Sequence, residues 1–524
     1  MEELPAWLTP LPDAEAMRAT DRWAIDEQGV PSLDLMERAG AAVARTVERI
    51  APDGPVTVVC GKGNNGGDGL VLARLLRQAG REATVVCTAS PEDLQGDAAA
   101  NLERLDGDGP VRLDGRPWAG GADGAGAGPF ERPALIVDAL LGTGFSGAPR
   151  GEAAEAIAAM ERAGVPVVSV DVPSGVDAST GAVADRAVHA AATVTFHAAK
   201  PGLWIRPGKD HSGEVETVDI GIPRGAPTQA RVGLIDTSVL ALLPRRTGAS
   251  TKFVSGHVLV AGGSVGLTGA PAMACRAAMR AGAGYVTAFV PAAVQPVLAG
   301  SGVPEVMFQA LPETAGALDV DGVEQVLEAA LRGGALALGP GLGRQEGAIA
   351  FARRLARAAK VPLVLDADGL NAHARRPEEL GSRVAPTVLT PHAGELGRLL
   401  DLHSQDVDSE RLRHVRDAAT RSGAVVVLKG DDTLVAEPGG LVAVSPGGSP
   451  ALATAGTGDV LSGVIAAVLS QRLDPFAAAA AGVLLHARAG RLAARAAGAA
   501  EAVIATDVIE ALGRARHADA EEAG

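Results

Sequence analysis

Short apolar runs alternate with amphipathic stretches along almost the whole chain. VTVVC (56–60), ATVVC (83–87), ALIVDALLG (134–142), PVVSVDVPSG (166–175) and ATVTFHAAKPG (192–202) each read as a buried strand that closes on small or polar residues. A second series follows: HVLVAGGS (257–264), YVTAFVP (285–291), ALALGPGLG (335–343), PLVLDADGL (362–370), TVLTPHAGE (387–395), VVVLKGDD (425–432) and TLVAEPGG (433–440). Strands alternating with helical runs predict parallel sheets covered by helices, an α/β chain. A last helical block starts at GTGDVLSGVIAAVLSQ (456–471) and runs to about 515. Between the two series the periodicity lapses into GIPRGAPTQA and LLPRRTGAS. The expected organisation is a domain over 1–225, a linker over 226–245, a second domain over 246–515 and a tail over 516–524. The glycine-rich stretch 105–130 is expected to be a mobile surface loop. No repeat links the two halves.

The polar punctuation of the first series raises a chemical question. GKGNNGGDG (61–69) sits where the first strand turns into a helix. Glycines there let backbone N–H groups approach an anion, and the helix N-terminus favours negative charge. Gly61, Gly63 and Gly66 satisfy the dinucleotide-binding spacing. The acidic residue that would hold a ribose is missing from the end of the second strand, which closes on Thr88 and Ser90. No G-K-[ST] is present, so the turn is not a Walker loop. A ligand-free tight turn would account for the glycines alone, but not for Asn64, Asn65 and Asp68 beside them.

Composition narrows the classes. The 524 residues are long enough for two or more domains, and 47% hydrophobic with 21% charged residues is globular. A net charge of −15 and 2% aromatics argue against nucleic acid. No apolar run approaches the ~18 residues of a membrane span, and the acidic, proline-broken MEELPAWLTPLPD is no signal peptide. Cys60, Cys87 and Cys275 form neither a disulfide framework nor a metal motif, which points to the cytoplasm. A homo-oligomer is expected. Of six lysines, Lys62, Lys200 and Lys429 sit beside glycine or proline in loops. Lys200 is open to three readings: partner of a phosphate, partner of Asp171, or solvated surface lysine.

Three strand ends in the first half carry oxygen ligands: the GNNGGDG turn, Asp138 in VDALLGTGFSG, and Asp171, Ser174 and Asp177 in DVPSGVD. Neighbouring strands would bring Asn65, Asp138 and Ser174 together, an all-oxygen set suited to a hard cation. Asp177 reads better as a turn former. These three motifs, in order over residues 10 to 225, resemble the NAD(P)H-hydrate epimerases. The resemblance implies a Rossmann-like three-layer domain that binds NADH or NADPH with water added across the nicotinamide ring. It implies K⁺ at Asn65, Asp138 and Ser174. Substrate contacts would fall on Asn64, Asn65, Gly66, Gly67 and Asp68, on Gly142, Thr143, Gly144, Phe145, Ser146, Gly147 and Ala148, and on Asp171. Epimerisation must break and remake a bond at C6, and Asp171, at a strand end, is the candidate acid/base.

In the second half, AGTGDVLSGVIAAVL (455–469) puts backbone N–H groups and the carboxylate of Asp459 at one helix start. Such a point can stabilise a transferred phosphoryl group while the carboxylate takes a hydroxyl proton. An aspartate N-cap is the plainer reading. With GGSVGLTGAP, GPGLG, LDADGLNA, TPHAGE and KGDDT, this segment (245–515) resembles the ribokinase-like ADP-dependent NAD(P)H-hydrate dehydratases. The resemblance implies a ribokinase-like α/β domain that removes the added water at the expense of ADP or ATP. Asp459 would be its catalytic base. Ala270, Gly341, His392 and Asp459 would contact the hydrate; Lys429, Gly430, Asp431, Asp432, Thr433 and Gly458 would contact the nucleotide, with Mg²⁺ on its phosphates. Asp366, Asp368, Asn371 and Glu395 read as a polar rim. The two resemblances together imply a bifunctional repair enzyme. The rival is a vitamin or sugar kinase fused to a dinucleotide-binding module.

Overall fold

The computed structural model describes residues 3–113, 128–226, 230–301 and 303–517. Most of the expected loop (114–127), part of the expected linker (227–229) and most of the expected tail (518–524) lie outside the described residues. The chain forms two compact units, Met1–Leu4 with Pro10–Val232, and Pro5–Thr9 with Gly233–Gly524.

The first unit is built on six parallel strands in the order Ala83–Cys87, Val56–Cys60, Leu135–Ala139, Val167–Val170, Ala192–Phe196, Glu214–Val218. Side-chain alternation divides each central strand between two cores. Val58 and Val137 pack with Val43, Val47 and Leu70 of helices on one face. Val59 and Ile136 pack with Ile157 and Met160 on the other. The result is the three-layer arrangement expected of a buried parallel sheet. Sheet order reverses between Val56–Cys60 and Leu135–Ala139, and ligands in such sheets bind beyond the carboxyl ends at that point.

The glycine-rich motif is less a loop than a helix start. The helix Asn64–Gln78 begins four residues after the strand ends, with Gly63 as its N-cap. A Cβ on Gly66 would lie 1.9 Å from the Gly61 carbonyl oxygen, and one on Gly69 would meet Ala139 and Cys60. These glycines bring the helix against the sheet. Gly66→Ala is therefore expected to cost about 1–3 kcal/mol through overpacking. Gly63→Ala, which enters open space, should cost clearly less. Thermal melting of the two variants checks the contrast.

The second unit holds an 11-stranded mixed sheet. Its parallel part runs Val425–Leu428, Thr387–Leu389, Leu363–Leu365, Ala335–Leu338, His257–Ala261, Tyr285–Pro291, Val306–Leu311. Leu434–Ala436 and Val442–Val444 extend it antiparallel. Two further strands complete the edge, Val232–Ile235 and Leu8–Pro10. Both fall where no strand was expected, one inside the presumed linker and one in the N-terminal segment. Each is too short for a visible period, and Pro10 is tolerated because the strand is the outermost. Trp7 anchors that edge against Phe476, with ring centroids 5.4 Å apart. No described helix is long and apolar enough to cross a membrane.

Candidate active sites

The reversal point of the first sheet opens into a cavity of about 900 Å³. Gly61, Lys62, Gly63, Asn64, Asn65 and Asp68 line one wall, and Leu140 to Phe145 another. Asp171, Lys200 and Asp21 also line it. Of the expected contacts, Gly66 and Gly67 are not among its lining residues, although Met36, which a Cβ on Gly67 would meet, is. Ser146, Gly147 and Ala148 are not among its lining residues.

Beside this cavity the three strand ends converge. Asp138 is fully buried and accepts from Ser174 Oγ (2.5 Å), Ser174 N (2.8 Å), Ser169 Oγ (2.9 Å) and Leu140 N (3.3 Å). Asn65 Nδ2 donates to the Leu141 carbonyl (3.0 Å), and Leu141 N donates to Ser174 Oγ (2.9 Å). Asn65, Asp138 and Ser174 thus gather around Leu141. Burial raises the Asp138 pKa, against the pull of its hydrogen bonds. No cationic side chain pairs with it among the described residues. Asp177, by contrast, accepts from Ser179 N and Thr180 N, as a turn former does.

Lys200 is neither solvated nor open to a phosphate. It is 1% exposed. Its Nζ donates to Asp171 Oδ1 (2.5 Å), Thr195 Oγ1 (2.8 Å) and the Phe196 carbonyl (3.1 Å), which uses all three protons. Asp171 adopts φ +66 at the strand end, where its N–H bonds Val194 O. A left-handed aspartate is uncommon, and such strain clusters at functional sites.

Two more carboxylates share this end of the cavity. Asp68 has its pKa raised well above the ordinary range by burial, then by Asp171 and Asp21. Asp21 is raised by burial, with Lys200 pulling down and Asp171 pushing up. Sequence reasoning missed Asp21 altogether. It belongs to no motif, and its one signal is its position four residues after the buried Met17 on the helix Ala14–Arg22.

In the second unit the helix Thr457–Ser470 begins behind Gly456, which adopts φ +92, with no side-chain cap. Asp459 is therefore not the N-cap. It sits one turn in, where the first backbone N–H groups lack intrahelical partners. Burial, with Asp366 and Glu395 nearby, raises its pKa to about 7, although Lys429 opposes them. Lys429 Nζ lies 3.0 Å from Asp366 Oδ1 and 3.6 Å from Glu395 Oε2. Ser462 Oγ donates to the other Asp366 oxygen (2.6 Å). Of the expected polar rim, Asp366 and Glu395 join a charge cluster at the helix start, with Lys429 close to Gly458, whereas Asp368 and Asn371 bond each other and Arg344 and Arg398.

The other expected contacts divide. Gly341 adopts φ +62, and a Cβ there would lie 3.2 Å from that of Ala270, so these two positions adjoin. His392 caps the helix Ala393–Leu400 through Nδ1, and Glu395 caps back to its N–H. That is a structural task, though the ring remains half exposed. Asp432 is fully buried and paired with Arg411 (2.9 Å), so its side chain is not available to a nucleotide. Thr433 Oγ1 closes the turn on Gly430 O (2.6 Å), and Asp431 Oδ1 accepts from Gly448 N (3.1 Å).

Two family models match the chain, one within each unit. Residues 258–514 match the family model for NAD(P)H-hydrate dehydratase, and residues 32–202 that for the YjeF-related protein N-terminus. The bifunctional NAD(P)H-hydrate repair enzyme Nnr of Moorella thermoacetica is 42% identical over 95% of both chains. That of Salinibacter ruber is 41% identical over 96% of both. A Bacillus subtilis ADP/ATP-dependent NAD(P)H-hydrate dehydratase, co-crystallised with ATP and Mg²⁺, is 31% identical over 53% of this chain and 94% of its own, with a TM-score of 0.46. With its six-stranded parallel unit and its mixed-sheet unit, the chain belongs to the family of bifunctional NAD(P)H-hydrate repair enzymes.

Proposed function

We propose that the two units divide the repair as epimerase and dehydratase, and that each works through the charged cluster at its sheet's carboxyl end. The first interconverts the R and S forms of NAD(P)H hydrate; the second dehydrates the S form to NAD(P)H with ADP or ATP. The observation that carries the reading is that two separate acid–base clusters, Asp171–Lys200 and Asp459–Lys429, stand beside glycine-built helix starts. Incubation with NADH hydrate and ADP, following recovery of NADH absorbance, tests it. A kinase of vitamins or sugars would leave the hydrate untouched.

In the hydrate, C6 bears a hydroxyl beside the ring nitrogen. Protonation of that oxygen lets water leave as the nitrogen lone pair forms an iminium bond. Water then returns to the opposite face and gives its proton back, so atoms and charge balance. The transient ring is a cation. The end of the cavity that holds Asp21, Asp68 and Asp171 around one buried lysine suits a cation and repels phosphate. We therefore place the nicotinamide ring there and the pyrophosphate at Gly63, Asn64 and the Asn64–Gln78 helix start. Asp171 handles the proton. Lys200 fixes its carboxylate.

The Asn65–Asp138–Ser174 cluster fits a monovalent cation on this chain's own chemistry: the donors are oxygens, and one buried carboxylate lacks a cationic partner. K⁺ there would neutralise Asp138 and steady the Leu141 turn that forms a wall of the cavity. Epimerase activity is expected to rise with K⁺, and Asp138→Ala to abolish that rise. Equal rates with and without K⁺, in protein first dialysed against chelating crown ether, would remove the cation from the reaction.

In the second unit, Asp459 takes the C6 hydroxyl proton as the oxygen attacks the terminal phosphorus of the nucleotide, whose P–O bond to AMP (from ADP) or to ADP (from ATP) breaks. The C6–O bond of the resulting ester then breaks, inorganic phosphate leaves as the ring nitrogen lone pair forms an iminium bond, and loss of the C5 proton to solvent completes NAD(P)H. Mg²⁺ would arrive with the nucleotide phosphates and offset their charge. Placement in the cytoplasm and assembly as a homo-oligomer complete the proposal; the three cysteines, all free, agree with a reducing compartment.

A further inference from the structure

The second unit carries another cavity, of about 840 Å³, at the opposite ends of its strands. His257 and Tyr285, which line it, open their strands, and Gly334 immediately precedes Ala335–Leu338. Ser470, Gln471 and Arg472 line it from the far end of the helix Thr457–Ser470, whose first turn carries Asp459. That helix is 14 residues long, or roughly 20 Å at 1.5 Å per residue. The cavity is therefore distinct from the dehydratase site.

Its lining includes Arg245, Arg246, Arg332, Arg472 and Arg516, with His257 and His517, and no carboxylate among the described residues. In a chain of net charge −15 that concentration calls for a cause. Helix ends offer a partial one. The helices Gly269–Arg280, Val323–Ala330, Thr457–Ser470 and Ala505–Ala515 all finish nearby. Arg246 donates to the carbonyls of Gly282 and Ala283, and Arg516 to that of Pro244. Yet four helix C-termini supply only about −0.5 each, roughly −2 together, against five guanidinium charges. Arg245, Arg332 and Arg472 have no hydrogen-bonded side chain and no ion pair among the described residues. The Arg516 pKa is lowered by burial and then by Arg245 and Arg246, as expected of mutually unneutralised cations.

Aromatic groups accompany the charge. Phe253 is 69% exposed and meets Tyr285 edge-on at 5.8 Å between centroids, and His257 stacks on the Tyr285 ring at 4.0 Å. Guanidinium forks match phosphate oxygens, and an exposed ring offers a face for a planar base. The volume lies within the range of small-molecule pockets, about 300–1,000 Å³.

We propose that this cavity is a second nucleotide site, which takes a nucleoside carrying at least two phosphates, with the phosphates on Arg332 and Arg472 and the base against Phe253. Equilibrium dialysis of the full chain against radiolabelled ADP tests it. The Arg332→Ala/Arg472→Ala chain should bind one ADP fewer than the unaltered chain, or bind it at least tenfold more weakly, while it keeps dehydratase activity at saturating ADP. Equal stoichiometry and affinity in both chains overturns the site. Inorganic pyrophosphate separates charge from base. If it competes for this site as well as ADP does, and Phe253→Ala changes nothing, the cavity is a phosphate patch and the nucleotide assignment fails. The acidic residues Asp519, Glu521 and Glu522 follow His517 in sequence. A chain ending at His517 should bind ADP here as the full chain does. Binding that appears only after this truncation would make the tail the occupant instead.

Discussion

Asp459→Asn is expected to slow dehydration by about 10²–10⁴-fold, the scale of losing a positioned acid–base group, and to leave epimerisation unchanged. Asparagine keeps the volume and the helix start, because Gly456 and not Asp459 occupies the capping position. What is lost is the acceptor for the hydroxyl proton. The carboxyl is pushed up to about 7 by burial and by Asp366 and Glu395, so near neutrality it is divided between its two forms. Only the ionised form can accept a proton. Dehydratase kcat/KM should therefore climb with pH through about 7 and level off above it. Lys429 pulls in the other direction. Lys429→Met should shift the rise to higher pH while lowering its plateau. Dehydration by the Asp459→Asn chain within tenfold of the unaltered one would remove the base from this residue. A pH profile that falls through 7 would show that the protonated form is the working one.

The sheets were legible because buried parallel strands are continuous apolar runs, and Val56–Cys60, Leu135–Ala139 and His257–Ala261 stand out without any tertiary knowledge. The glycine-rich segments were legible as places of close approach, but not as to what approaches. Gly66 makes room for the Gly61 carbonyl, and Gly67 for Met36. The short edge strands Leu8–Pro10 and Val232–Ile235 escaped notice because strands of three and four residues show no period and lie far apart in sequence. Ion pairs were the least legible. Nothing local says that Asp432 is spent on Arg411, that Lys429 faces Asp366 across 63 positions, or that Asp21 joins Asp68 and Asp171. Motifs reveal which residues sit at strand ends. Pairing across the sheet decides which of them remain free for chemistry.

The same pairing makes Asp171 the most exacting test of the first unit. Asp171→Asn should lower epimerisation by about 10²–10⁴-fold, with dehydration of the S form unaltered. A loss in both reactions would indicate damage to the whole chain. Lys200→Met asks a different question, since the lysine touches the carboxylate and two other acceptors but does not itself carry the reaction. Methionine fills the buried space, yet Asp171, Thr195 and the Phe196 carbonyl all lose a donor. Without the buried ammonium, the carboxylate of Asp171 faces Asp21 and Asp68 with nothing to offset the repulsion. Asp21 and Asp68, which Lys200 pulls down and Asp171 pushes up, should then hold protons to higher pH. If this carboxylate cluster must be ionised to take the proton of the returning water, the epimerase pH profile of Lys200→Met must move upward. Part of the lost activity should return in alkaline buffer. Recovery would identify Lys200 as a positioning residue that acts through Asp171. A variant uniformly slow at every pH, with an unshifted profile, would place the ammonium on the substrate itself and overturn the role given to it here.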